Sequence, residues 1–154
     1  MEARSIRRFH IDAAASLRSA ADDRLYPCVQ FVTRTNPVFS EWRQRFYRER
    51  RKVVPDRVEE LLGPPAVAAW FMDDGTADRA GVSFQTHSFE IDEVEQLATA
   101  LSRRYSLKTS LNRNIGAWVV YVHGSSVEAL KAIIGSLMLP ELAYKLVPRG
   151  TWTP

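Results

Sequence analysis

The segment that most constrains this chain is Pro65-Ala-Val-Ala-Ala-Trp-Phe-Met-Asp-Asp-Gly75. Pro64 and Pro65 mark a helix start, because proline suits the first helical turn. The run Ala66 to Met72 is apolar all round, which predicts a helix buried on most sides. It stops abruptly at two carboxylates and a glycine, and Gly75 is expected to let the chain turn sharply there. Two acidic side chains at a helix C-terminus oppose the helix dipole, so something must compensate them. Solvent at an ordinary C-cap is one answer. A divalent cation is the other, and oxygen ligands of this kind suit Mg²⁺.

The rest of the pattern alternates short helices with short strands. Ala3 to Ile11 reads as a short strand or irregular arm, and alanine-rich Asp12 to Asp23 as a helix or linker. Cys28 to Thr35 is β-branched and aromatic, a strand signal. Asn36-Pro37 opens a helix whose Phe39, Trp42 and Phe46 are spaced to form a buried stripe. Residues 56 to 62 suggest one or two helical turns closed by Gly63-Pro64. Past Gly75, Asp78 to Gly81 is a candidate first strand of a hairpin. Residues 82 to 88 then alternate, with Val82, Phe84 and Thr86 toward a core and Ser83, Gln85 and His87 away from it. Asp92 and Glu95 fit a capping box, followed by an apolar stripe of Val94, Leu97, Ala98, Leu101 and Tyr105. A hairpin joins Lys108–Asn114 to Ala117–His123 through Asn114-Ile115-Gly116. Ser126 caps a last helix, Pro140 breaks it, Glu141 to Leu146 is one more turn, and 147 to 154 is expected to be a loose tail.

Charge adds a weaker signal. The net charge is +3, but residues 1–60 carry 13 basic against 9 acidic side chains, with a peak at Arg43, Arg45, Arg48, Arg50, Arg51 and Lys52. Arginine's planar fork matches phosphate oxygens, so the cluster suits a nucleic acid; a solvated helix face is the other reading. One cysteine, Cys28, excludes an internal disulfide and a cysteine-rich zinc site. No apolar run approaches membrane-span length and no secretory signal core is present, so an intracellular protein, in a bacterial cytoplasm or an organelle, is expected.

Val67 to Gly75 resembles the second motif of two-motif LAGLIDADG homing endonucleases at all nine positions, with Val67 in place of the usual leucine. Phe31 to Phe39, Arg51 to Pro55, Gln85 to Phe89 and Leu139 to Leu146 resemble the flanking segments in the family's order, so the similarity spans about residues 29 to 148. The resemblance implies an α+β fold: an αββαββα half-domain whose antiparallel sheet lies on DNA. It implies metal-dependent hydrolysis of double-stranded DNA at long sites. Asp74 falls on the metal-binding carboxylate, with Asp73 and Gly75 beside it and Mg²⁺ or another divalent cation as cofactor. Lys145 matches a basic active-site residue, and Gln85 or His87 is expected near the attacking water. Ser83, Gln85, His87, Lys108, Ser110, Asn112, Arg113 and Arg34 are the candidate DNA contacts. His10 and His123 are read as structural.

One departure matters. A two-motif enzyme has another acidic helix near its N-terminus, and no such segment stands here. The expected organisation is an incomplete first half-domain at 1–62, a LAGLIDADG half-domain at 63–148 and a tail at 149–154. Three explanations follow: a homodimer through the Val67–Gly75 helix, a fragment whose first motif comes from a separate chain or is lost, or a nucleic-acid-binding protein that does not cut, such as a maturase or regulator. An interaction module that uses this helix for dimerisation without metal is a further alternative.

Overall fold

A computed structural model describes the backbone of residues 11–18, 25–31 and 36–151, and the side chains of 36–150. By its contacts the chain divides into two compact units, 1–41 and 42–154.

In the first unit, β1 (Ile11–Arg18) pairs antiparallel with β2 (Leu25–Phe31), with a register shift between Asp12 and Ala15. The alanine run is therefore a strand, not the helix or linker expected. Alanine's helix preference is a weak prior, and pairing with a β-branched and aromatic neighbour overrides it. Asn36 starts α1 (Pro37–Phe46): its side-chain oxygen accepts from the Val38 amide at 3.0 Å. The apolar stripe on α1 is not buried as expected; Phe39 is 49% and Trp42 44% exposed. Periodicity marks which face is apolar, not whether anything covers it.

In the second unit, α1 runs into a tight hairpin of β3 (Tyr47–Arg48) and β4 (Arg51–Lys52). Several arginines of the basic cluster are engaged locally. Arg43 lies over Tyr47, Arg45 over Trp42, and Arg48 donates to the Gln44 carbonyl at 2.9 Å. Val53 and Val54 then enter the core, and α2 (Val58–Leu61) follows. Val54 and Leu62 share one core with the residues after them.

From here the order is α3 (Pro64–Asp74), β5 (Gly75–Ala77), β6 (Gly81–Gln85), α4 (Ile91–Tyr105), β7 (Thr109–Asn114), β8 (Ala117–His123) and α5 (Val127–Ile134). This is the expected αββαββα succession. The strands form one antiparallel sheet in the order β5-β6-β8-β7. Asp78 to Ala80 make the β5–β6 turn instead of a strand; β5 starts directly at Gly75. The two-residue turn Ile115-Gly116 has positive φ at both positions, which matches the twist of the strands it joins.

The sheet has two unlike faces. Val82, Phe84, Val120 and Val122 pack beneath Val67, Phe71, Val94, Leu97, Leu101, Leu130 and Ile134 of the helices. Phe84 stacks with both Trp70 and Phe71, at 4.4 and 5.0 Å between ring centroids. Residues of opposite parity make the other face. The register aligns Thr76, Ser83, Tyr121 and Ser110 in one row, and Gln85, Val119 and Asn112 in the next.

Glu93 ties β4 and the segment after it to this layer. Its carboxylate accepts from Arg51 at 2.7 Å, from the Glu90 amide at 2.9 Å and from the Val54 amide at 3.3 Å. Burial works against its ionisation, but these hydrogen bonds, Arg51's foremost, outweigh that and hold its pKa below the usual carboxylate range. The same carboxylate raises the pKa of Arg51. The capping box is thus Glu90–Glu93, two residues before the expected Asp92–Glu95 pair. At α5, Ser126 holds the cap position, yet its hydroxyl accepts from the Lys108 amide at 2.9 Å instead of capping the helix.

After α5 the chain makes 3-10 turns at Gly135–Leu137 and Pro140–Leu146. Of the expected loose tail, residues 149 and 150 are anchored, and 152–154 lie outside the described residues. The Arg149 and Gly150 amides donate to the Asp78 and Arg79 carbonyls, each at 2.8 Å. Among the described residues no helix is long and apolar enough to cross a membrane.

Candidate nuclease half-site and nucleic-acid face

The helix α3 is buried on one side only. Val67, Ala68 and Phe71 lie in the core, while Pro65, Ala66, Ala69 and Asp73 are exposed. These four recur at helical spacing, so α3 presents an open stripe of small residues that ends in a carboxylate. The expectation of burial on most sides is therefore corrected: the sheet and α5 cover one face and nothing in this chain's described residues covers the other.

Gly75 ends the helix, but not through left-handed backbone. Its φ and ψ, −79° and 146°, suit any residue. Its constraint is space. A Cβ there would sit 2.2 Å from the Phe71 carbonyl oxygen and 2.6 Å from the Phe71 ring. Only glycine lets β5 leave α3 this closely, and that closeness sets Asp73 and Asp74 at the edge of the sheet.

Asp73, Asp74 and Gly75 line a cleft of about 870 Å³ together with Thr76, Ala77, Gln85, Tyr144, Lys145, Val147 and Arg149. Both aspartates are exposed. Lys145 compensates the helix end: its ammonium donates to the Met72 carbonyl at 2.7 Å and the Asp73 carbonyl at 3.2 Å. A cation on the last carbonyls offsets part of the dipole that the aspartates oppose. Gln85 is held at both ends of its amide, donating to Thr76 at 3.3 Å and accepting from Asn114 at 3.1 Å.

The other sequence candidates fall in different places. Ser83 belongs to the open face but is 3% exposed, and its hydroxyl donates to the Asp78 carboxylate. His87 is exposed in the turn after β6, away from the cleft lining. Lys108 is exposed at the start of β7, and Ser110 and Asn112 are on the open face, 3.3 Å apart. Arg113 has the opposite parity, in register with Trp118, and its guanidinium lies 4.8 Å over that indole. Arg34 and His10 lie outside the described residues. His123 packs edge-on to Tyr121 at 5.2 Å.

Among the described residues no three His, Cys, Asp or Glu side chains gather into a group. Asp73 and Asp74 are thus a pair of oxygen donors without a third. Mg²⁺ is commonly held by one or two carboxylates with substrate phosphates and water, so the pair fits it as part of a shared site.

The sequence profile described as the LAGLIDADG DNA endonuclease family matches residues 10–130. The chain belongs to that family. An intron-encoded endonuclease of Dictyostelium discoideum is 32% identical over 120 residues, covering 76% of each chain. A cytochrome b mRNA maturase of Debaryomyces hansenii is 28% identical over 131 residues, 84% of this chain and 50% of its own length. The fold matches a solved structure, the homing endonuclease I-WcaI bound to its DNA recognition sequence. The TM-score is 0.80 at 19% identity, over 89% of this chain and 64% of the other. The chain therefore spans about half of one curated relative and about two thirds of its structural neighbour.

Within a LAGLIDADG chain, the sequence alone pointed to Asp73, Asp74, Gly75, Gln85 and Lys145, and the fold gathers all five around one cleft. It did not point to Thr76, Asn114, Tyr144 or Arg149. Thr76 was hidden because β5 is only three residues long. Arg149 was hidden because nothing in its neighbours marks the backbone bonds that tie it to the β5–β6 turn.

Proposed function

We propose that this chain is one half of a metal-dependent, site-specific double-stranded DNA endonuclease of the homing type. The observation that carries the reading is the juxtaposition at the end of α3: two exposed carboxylates beside Gln85 and Lys145, at the rim of a polar sheet face. Asp74, with Asp73 and the Gly75 carbonyl, would hold Mg²⁺, which when bound supplies Lewis-acid stabilisation of the charge that develops during phosphodiester hydrolysis. Lys145 keeps two of its three N–H groups on α3 carbonyls, so it fixes the aspartates and has one donor left for a phosphate oxygen. Gln85, clamped by Thr76 and Asn114, would orient water at the cleft with little reorganisation. Ser110, Asn112 and Lys108 would meet the major groove, where hydrogen-bonding side chains can distinguish base pairs.

A complete site needs a second acidic helix. The stripe Pro65, Ala66, Ala69 and Asp73 is narrow enough for close helix approach, from a second copy of this chain or a separate chain carrying the first motif. Sedimentation of the purified protein tests the homodimer; a monomer at all concentrations would leave the separate chain.

The test of the enzyme reading is cleavage of a randomised duplex library in Mg²⁺, beside Asp74→Asn. Cutting by the native chain alone, with DNA affinity retained in the variant, supports it. No cutting by either protein, with or without a first-motif partner, overturns it. The maturase among the relatives favours one second reading, a nucleic-acid-binding protein that does not cut. That reading predicts identical behaviour of Asp74→Asn in every assay.

A further inference from the structure

Arg149 lies beyond every segment in which the family resemblance was read, yet it lines the same cleft as the paired aspartates. Its placement is built. The Arg149 and Gly150 amides bond to the Asp78 and Arg79 carbonyls at 2.8 Å, docking this stretch on the β5–β6 turn. At Gly150 a Cβ would come within 2.5 Å of the Arg79 carbonyl oxygen, so the approach depends on glycine. Lys145, the other cation in the cleft, already spends two N–H groups on α3 carbonyls. Arg149 is exposed, and among the described residues its guanidinium has no ion-pair partner. A full guanidinium fork beside two carboxylates that would hold a divalent cation suits a group with several anionic oxygens.

We propose that Arg149 is a phosphate-binding residue of the cleft, contacting the backbone of duplex DNA next to the bond at Asp73 and Asp74. The inference rests on the proposed function and extends it to a residue outside the motif. Lys145 fixes the helix end, and Arg149 binds the strand.

The test is the salt dependence of binding to a mixed-sequence duplex, measured by fluorescence anisotropy for the native chain, Arg149→Ala, Arg149→Lys and Arg103→Ala. Arg103 is exposed on α4 and does not line the cleft. One lost phosphate contact lowers the log–log slope by about 0.9, so the loss of affinity between roughly 50 and 200 mM salt is about 3.5-fold smaller. That change in Arg149→Ala, with the slope retained in Arg149→Lys and Arg103→Ala, is the expected result. An unchanged slope in Arg149→Ala while the native chain binds would overturn the inference and leave the proposed function standing. Equal loss in Arg149→Ala and Arg103→Ala would reduce the effect to net charge and also overturn it. Failure of the native chain to bind duplex DNA would remove both. Thermal melting of Arg149→Ala at the native temperature separates binding from folding.

Discussion

Truncating Glu93 should cost more than any surface charge in this chain. Its carboxylate serves the Val54 amide, the Glu90 amide and Arg51 at once. In Glu93→Ala the amide of Val54, a residue 8% exposed, loses its acceptor in the core, at roughly 1–3 kcal/mol. The Glu90 amide loses the return bond of the capping box, worth about 1 kcal/mol as a helix cap. Arg51 has a side chain 49% exposed, so it is resolvated and contributes little. The total is about 2–4 kcal/mol, a large share of the ~5–15 kcal/mol that holds a typical domain together. For a chain of this size that lowers Tm by roughly 5–15 °C. Urea and thermal melts followed by circular dichroism measure it, with Arg51→Ala as the comparison at under ~1 kcal/mol. Equal losses in the two variants, or a loss below ~0.5 kcal/mol in Glu93→Ala, would refute the reasoning. The same carboxylate predicts a pH dependence. Its folded pKa is depressed, so its contribution is fully present above the unfolded value near ~4.3 and is lost as pH falls through the folded value. Glu93→Gln should flatten that part of the acid limb.

Three further outcomes follow from the same geometry. Gly75→Ala should destabilise by ~1–3 kcal/mol or more through overpacking against Phe71, seen as a lower urea midpoint; a native-like midpoint would contradict the close approach. Lys145→Met should lower stability by about 1–2 kcal/mol in thermal melts, since two carbonyls at the end of α3 lose a charged donor in a partly exposed place. Ser83→Ala should cost ~1 kcal/mol and leave base preference unchanged in duplex selection, because its buried hydroxyl is already engaged by Asp78; Asn112→Ala should alter preference with little loss of stability.

The motif helix was legible because several signals agree there: Pro64-Pro65 opens it, an apolar run fills it, and Asp-Asp-Gly ends it. The hairpin at Asn114-Ile115-Gly116 was legible for the same reason, a turn signal between two strand patterns. What failed were places where tertiary partners decide. Asp12 to Asp23 looked helical or unstructured because alanine favours helix in isolation, but β1 forms by pairing with β2. The stripe on α1 is periodic in sequence, but Phe39 and Trp42 on it are exposed. Two acidic pairs, 90–93 and 92–95, fit a capping box, and the contact of Glu93 with Arg51 and Val54 selects the first. Strand alternation put Ser83 on the right face without revealing that Asp78 occupies it. The apolar run in α3 showed that the helix packs, not that one of its faces is left uncovered by the described residues.

The proposed function stands or falls on Asp74 as a divalent-metal ligand on bound DNA. Its most direct measurement is Mn²⁺ binding, followed by electron paramagnetic resonance, to the protein–duplex complex of the native chain and of Asp74→Asn, with the first-motif partner present if the chain proves monomeric. Tight Mn²⁺ binding in the native complex, and its loss in the variant while the duplex stays bound, is the expected result. Equal Mn²⁺ binding in both complexes would contradict it.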